Sequence, residues 1–295
     1  MTGGTSGKIK LWQTRTGFCY ATFTQHTASI NAIQYIASSN AIVSASSDGT
    51  VRAYDLFRYR NFRTMTTPSP CRLISLAVDS GGEVVAAGSF DPPEIYLWSL
   101  RTGKLVDVLS GHEAPVSTLQ FSPTEPLLAS GSWDHTVRLW EPYKNTASLE
   151  SYDCTKEVLA LSFHPNGEQL CVSTLSGSLS FWNIKTGSQQ SAISGQKDIA
   201  GGRLSTSAQS AISSSSGKSF TSVTYSADGR CVLAGGRSKY VCLYEVSQGL
   251  LLRKWQLSHN RSLDGMFSLS FSLSLYHTYI YIYLKHTRYY RQNSI

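Results

Sequence analysis

Two histidine–aspartate pairs are the residues of this chain whose types and spacing suit chemistry. His112 precedes Asp134 by 22 residues, and Trp140 follows six later; His26, Asp48 and Tyr54 repeat both intervals. An Asp that holds one ring nitrogen of a His is the orienting half of a nucleophile–base–acid constellation. The other half is missing. No Ser stands on a G-x-S-x-G elbow, and no acidic cluster suits a metal. The six cysteines (Cys19, Cys71, Cys154, Cys171, Cys231 and Cys242) include no C-x-x-C pair. Gly217-Lys218-Ser219 has the end of a phosphate loop, but Ile212 stands where its first glycine belongs and a strand follows. Recurrence at fixed intervals points instead to a buried hydrogen-bond network. Asp134 fixes the His112 imidazole, Ser130 or Ser132 links them, and the Trp140 indole N–H supplies the last donor. The chain reads as non-enzymatic, with no cofactor and no metal.

A second stretch is suited to recognition. Arg58, Tyr59, Arg60, Phe62 and Arg63 interleave guanidinium groups with aromatic rings. Such residues pair phosphates and stack bases, or grip an acidic protein surface. The plainer reading is an outer strand with its aromatics packed and its polar face solvated.

The elements that position these residues repeat. Alternating segments end on Trp12, Tyr54, Trp98, Trp140, Trp182 and Tyr244, with gaps of 42, 44, 42, 42 and 62. A Gly-His, a strand, an Asp-bearing turn and a strand closed by Trp form one blade of a WD-repeat β-propeller. Gly111-His112 through Trp140 is the fullest case, and Ser46–Tyr54 mirrors Ser132–Trp140. The other blades are looser. One turn reads Phe90-Asp91-Pro92-Pro93-Glu94, and Ser176-Gly177 and Ser238-Lys239 replace the Asp in two more. Packing is expected to hold those blades, since the network needs its Asp. Ser122-Pro123, His164-Pro165-Asn166-Gly167 and Ser226-Ala227-Asp228-Gly229 read as turns.

The predicted fold is all-β: five complete blades plus partial blades, at Gly7–Leu11 before Trp12 and Leu250–Leu257 after Tyr244. Polar residues 185–219 read as an extended surface loop within the 62-residue gap. Residues 1–266 are taken as the blades. Residues 267–295 alternate as Phe-Ser-Leu-Ser and Tyr-Ile-Tyr-Ile, a low-complexity tail read as translated non-coding sequence rather than a native domain. Sequencing the transcript across Met266 tests that reading.

Charge bounds the partners. The formal charge is +7, but residues 251–295 supply six basic side chains against Asp264, leaving the body at about +2. The bulk charge is therefore a poor argument for a nucleic-acid-binding body. Reduced cysteines in strand-like runs suggest a reducing compartment, and neither a leader-like start nor an apolar run of membrane length is found.

With the repeats placed, particular segments resemble the periodic tryptophan protein 2 family. They are Gly17-Phe18-Cys19, Asp48–Ala53, Arg58–Thr64, Gly103–Val108, Leu109–Glu113, Ser130–Trp140, Ala234-Gly235-Gly236 and Ser262–Met266. The likeness runs over about residues 3–266, and Arg58-Tyr59-Arg60-Asn61-Phe62-Arg63 is its most specific part. It implies blades of the second of two tandem propellers, with departure from the family at Phe267. It further implies a non-catalytic scaffold of the nucleolar small-subunit processome, assembling a small nucleolar ribonucleoprotein on pre-ribosomal RNA. Its partners would be other WD-repeat proteins of that assembly, together with pre-rRNA or small nucleolar RNA. It implies no membrane and no small-molecule substrate. The alternative is a peptide-recognition propeller such as a ubiquitin-ligase substrate adaptor, which needs an adaptor-binding segment not found here.

Overall fold

Alternating apolar residues bounded by Gly, Asp and Pro turns produce short antiparallel strands, and each run of four folds back on itself. The computed structural model describes residues 1–144, 148–199 and 218–257. The first sheet is β1 (Thr2–Gly3), β2 (Ile9–Trp12) and β3 (Cys19–Phe23). The second blade is β4 (Ile30–Ile36), β5 (Ala41–Ser46), β6 (Thr50–Asp55) and β7 (Arg60–Thr66). The third is β8 (Leu73–Val78), β9 (Val84–Ser89), β10 (Ile95–Ser99) and β11 (Leu105–Leu109). The fourth is β12 (Val116–Phe121), β13 (Leu128–Ser132), β14 (Thr136–Trp140) and β15 (Ser148–Asp153). The fifth is β16 (Val158–Phe163), β17 (Gln169–Thr174), β18 (Ser178–Asn183) and β19 (Gln189–Ser194). The sixth is β20 (Phe220–Tyr225), β21 (Cys231–Gly236), β22 (Tyr240–Glu245) and β23 (Leu251–Gln256). All six sheets are meanders of sequence neighbours.

Each apolar cluster lies between two blades. Ile9, Leu11 and Phe23 pack against Ile30, Ile42 and Tyr54 across the first junction. Val43, Ala45 and Val51 meet Leu73, Val85 and Trp98 across the next. The same arrangement recurs from third to fourth, fourth to fifth and fifth to sixth blade. The closing aromatic of each blade from the second onward sits in the junction with the blade before it. In all six sheets the register shifts at that aromatic, a bulge that sharpens the local twist where strands must turn to meet their neighbour.

Polar side chains on the inner strands tie the blades further. Asn31 Nδ2 donates to the Leu73 carbonyl (2.6 Å), Ser75 to Val116 (2.7 Å) and Ser117 to Val158 (2.6 Å). Ser173 reaches the Phe220 carbonyl at 2.7 Å. The blades approach so closely that Gly131 has no room for a side chain. A Cβ there would lie 2.5 Å from Val158 Cγ1 and 2.8 Å from Thr118 Cγ2.

Turns sort to two ends. At one end Leu56, Leu100, Ile184 and Val246 donate backbone N–H groups to Asn40, Glu83, Glu168 and Arg230, joining the first–second and third–outer strand turns. At the other, Ser47, Phe90, Trp133, Leu175 and Arg237 donate to Ser29, Arg72, Pro115, Glu157 and Ser219.

Three expectations change. The polar stretch after Lys185 is not loop throughout: it contains β19 and the short helix α1 (Gln196–Ile199). β19 is exposed on both faces, and Ile193 is its one buried residue, so no apolar period marks it. The strand after Tyr244 is not a separate partial blade, because β23 completes the sixth sheet. Ahead of β2, β1 adds a strand to the first sheet through Gly3–Ile9 and Thr2–Lys10 pairing. Residues 200–217 and the tail 267–295 lie outside the described residues.

Gly131→Ala should destabilise the fold by about 1–3 kcal/mol, because overpacking forces a neighbour to move. Thermal unfolding of G131A, V158A and the double variant checks this. A double variant more stable than the sum of the singles confirms that the strain is against Val158.

Candidate functional site

The network in the fourth blade is built by three local features. Strand β13, buried on both faces, encloses Ser130, the turn after it presents Asp134, and the loop before β12 brings in His112. His112 Nδ1 lies 2.7 Å from Asp134 Oδ2, and Nε2 lies 2.7 Å from Ser130 Oγ. Trp140 Nε1 donates to the same Ser130 oxygen at 2.7 Å. Of the two serines that the sequence leaves open, Ser130 is therefore the link. Ser132 instead donates to the Ala114 carbonyl (2.8 Å) and accepts the Asp134 N–H. The Asp134 carboxylate also accepts the Thr136 N–H and hydroxyl and the Glu113 N–H, so both its oxygens are used.

The second blade repeats this with one change. His26 lies 2.8 Å from Asp48 and 2.7 Å from Ser44, and Thr50 donates to Asp48 through backbone (2.9 Å) and hydroxyl (2.7 Å). Tyr54 replaces the tryptophan. Its hydroxyl is buried beside Ser44 without a hydrogen-bond partner.

Electrostatics follow from burial and donors. Burial by itself would raise the Asp48 carboxyl; donors from Thr50, His26 and the Thr27 N–H outweigh it and hold the group down at about 2. Burial likewise opposes ionisation of Asp134, and donation from His112 and Thr136 overcomes it, leaving that carboxyl well below its usual range. Burial lowers the His26 imidazole, partly offset by Asp48.

Ser130, His112 and Asp134 thus have the connectivity of a hydrolytic triad, but no substrate can reach it. Ser130 is fully buried and already accepts the indole N–H, leaving no approach for an electrophile. The arrangement is a structural lock.

The blades lacking the Asp are not held by packing alone. In the fifth, Thr174, Ser176 and Ser178 form a hydroxyl triangle with sides of 2.7–2.8 Å. In the sixth, Tyr244 donates to Asp198 of α1 at 2.8 Å, so a residue from the inserted segment supplies the missing carboxylate. In the third, Tyr96 donates to Glu94 (2.8 Å), while the Trp98 indole N–H is buried without a partner.

The basic–aromatic segment is split by its fold. Turn residues Arg58 and Tyr59 and strand residue Arg60 are exposed, whereas Phe62 packs partly into the junction with the third blade. Arg58 lies 4.0 Å from Asp55, Tyr59 meets Tyr20 edge to face, and Arg60 makes no side-chain bond among the described residues. Arg63 donates to the Arg101 carbonyl from Nε (3.3 Å) and Nη2 (2.8 Å), which makes it a strap between blades. Among the described residues no group of three or more His, Cys, Asp or Glu could hold a metal. No helix among them is long and apolar enough to cross a membrane.

Antiparallel four-stranded sheets stacked through their faces, with a buried His–Asp–Ser–Trp lock, define a WD-repeat β-propeller protein. The WD domain, G-beta repeat, matches residues 17–55, 103–141 and 144–183. Each match begins near an outer strand and closes on the third strand of the next blade, so the sequence repeat straddles a junction. The chain is 48% identical over 265 residues to periodic tryptophan protein 2 of Arabidopsis thaliana, and 47% over 266 residues to the Mus musculus homolog. It is 45% identical over 265 residues to that of Saccharomyces cerevisiae. Each comparison covers 90% of this chain and 29% of the relative, so the chain spans under a third of their length. The chain belongs to the periodic tryptophan protein 2 family.

The lock predicts an acid-labile fold. His26 and Asp48 are both lowered on folding, so the unfolded chain binds more protons than the native one as pH falls. Stability from His26 is complete above its unfolded value near 6.5 and declines below it. That from Asp48 is complete above 3.8 and is lost as pH falls through about 2. A Tm that falls from pH 7 to 5, with a shallower slope in His26→Gln, is the expected result.

The two closing aromatics should answer differently to loss of their polar atom. Trp140→Phe removes a buried donor and opens space, for a loss of about 1–3 kcal/mol. Tyr54→Phe removes an unpartnered hydroxyl and should be neutral or stabilising in urea unfolding.

Proposed function

We propose that the chain is a non-catalytic scaffold segment in ribosome biogenesis. In this reading it acts in the nucleolus, within the small-subunit processome, and helps assemble a small nucleolar ribonucleoprotein on pre-rRNA for small-subunit rRNA processing. Its partners are other WD-repeat proteins of that assembly, with pre-rRNA or small nucleolar RNA in the same particle. The observation that carries the proposal is likeness to periodic tryptophan protein 2 relatives over 90% of this chain. The sealed triad supports the non-catalytic part, since its only nucleophile is buried. Exposed Arg58 and Arg60 are the side chains of the basic segment free to meet a partner, while Phe62 and Arg63 serve the fold.

A tagged full-length pulldown, with and without RNase, tests the reading. Wild type should recover processome proteins in both conditions. Arg58→Glu/Arg60→Glu should lose them at unchanged Tm, whereas Arg63→Glu should lower Tm. Recovery of ligase subunits in place of processome proteins would favour the substrate-adaptor reading. Retention by the double variant would move the contact elsewhere.

A further inference from the structure

The turns between third and outer strands of the first three blades form one surface of uncommon composition. The first turn exposes Arg15 and Phe18; the second exposes Phe57, Arg58, Tyr59 and Arg60 in succession. The third exposes Arg101 and Lys104, followed by Leu105 and Val106 at the start of β11. Arg15 and Arg101 each stand three residues after the closing aromatics Trp12 and Trp98, and Arg58 stands four after Tyr54, so each of the three turns carries a cation near its tip.

Two contacts hold the turns side by side. Tyr20 and Tyr59 join the first to the second, with ring centroids 6.4 Å apart at 81°. The Arg63–Arg101 bonds join the second to the third. Among the described residues, four acidic groups lie at this end of the first three blades. Asp79 and Glu83 belong to the third blade's first–second turn, where Asp79 is taken up by the Glu83 and Val84 N–H groups and both face Tyr143 of the fourth blade. Asp55 and Asp107 lie nearer the cations. Asp55 accepts the Phe57 and Arg58 N–H groups and stands 4.0 Å from the Arg58 side chain, and Asp107 accepts the Val108 N–H. The next blades differ, because Lys144 pairs with Glu141 (3.3 Å) and Lys185 with Glu168 (2.7 Å). Along this row of turns Arg58 meets Asp55 only at 4.0 Å, Arg15, Arg101 and Lys104 have no ion pair among the described residues, and the cations of the fourth and fifth blades are paired more closely.

Apolar exposure coincides with it. Phe57 is 77% exposed, Phe18 65% and Val106 58%. Clustered apolar side chains left in water mark interaction surfaces, and aromatic residues with Arg dominate their binding energy.

We propose that this surface docks an acidic segment of a partner protein, one carrying aliphatic or aromatic side chains between its carboxylates. Guanidinium groups pair carboxylates as two-pronged donors. The aliphatic residues decide between a protein and single-stranded RNA. RNA binds through phosphate charge and base stacking; Leu105 and Val106 offer no ring face to a base but bury well against apolar side chains. The inference rests on the scaffold reading only in taking the ligand to be a protein.

The test is fluorescence anisotropy on the 295-residue chain. The probes are a labelled peptide alternating Glu with Leu and Phe, its Lys-for-Glu counterpart, and oligouridylate. The acidic peptide should bind, weaken with salt, and lose about tenfold or more in affinity to Phe57→Ser/Arg58→Glu/Arg60→Glu. That variant should keep the wild-type Tm, and Arg230→Glu in the sixth blade should bind as wild type does. Failure of the acidic peptide to bind, or equal binding of the Lys peptide, overturns the proposal. Tighter oligouridylate binding that the same variant abolishes assigns the surface to nucleic acid instead. Recovery of processome proteins by a chain that ignores the peptide keeps the scaffold reading and discards this one. Peptide binding without such recovery does the reverse.

Discussion

The structure depends on the fact that no blade can bury its own faces. Strands β5, β9 and β13 are almost wholly buried, yet each belongs to a single-layer sheet with only the adjoining blades to cover it. Apolar burial is the dominant favourable term in folding, so here stability resides in the junctions and not within the sheets. The closing aromatic carries much of that junction. It sits at a bulge and, from the second blade onward, packs into the junction with the preceding blade. The tolerance is narrow, as Gly131 shows: the inner strand of the next blade comes so near that even a methyl group collides. Asn31, Ser75, Ser117 and Ser173 then close the gap with a donor to the neighbouring carbonyl. These bonds fix register between sheets that dispersion alone would let slide.

Polar groups inside such a stack must be satisfied locally, since water is excluded. The His–Asp–Ser–Trp lock is one solution, complete in the fourth blade and one bond short in the second. The fifth and sixth blades use others. A hydroxyl triangle needs only three residues of one turn, whereas the Tyr244–Asp198 bond uses a carboxylate 46 residues away. What recurs between blades is thus the requirement for a partner, not the residues that meet it. The unpartnered Tyr54 hydroxyl and Trp98 indole show where the requirement is met least well.

This difference explains what could be read from the sequence. The six closing aromatics and the 22- and 6-residue intervals were legible because those contacts fall within one repeat. β19 was not, since an outer strand exposed on both faces has no reason to alternate. Asp198 was hidden because its partner, Tyr244, lies 46 residues away beyond a polar insertion. Arg63 reads as one more basic residue of its segment, and only the fold shows its guanidinium turned to the Arg101 carbonyl. The cations Arg15, Arg58 and Arg101, three or four residues after successive closing aromatics, were visible throughout. Their meaning needed the knowledge that equivalent turns stand side by side.

The repeat architecture also separates stability from recognition. Intervals that govern folding place the closing aromatic inside each junction from the second blade onward, and a His–Asp pair beside it in the second and fourth blades, where substitution is costly. In the turns between third and outer strands, the first residue (Leu56, Leu100, Ile184 or Val246) packs into a junction, whereas the exposed residues after it contribute little to any. They can therefore change charge and hydrophobicity from blade to blade without altering the stack. The contrast between the largely open cations of the first three blades, where Arg58 meets Asp55 only at 4.0 Å, and the more closely paired Lys144 and Lys185 of the next two is such a change. A stack built this way acquires a distinct surface by varying the exposed residues of successive turns, and adjacency between blades turns those residues into a continuous patch.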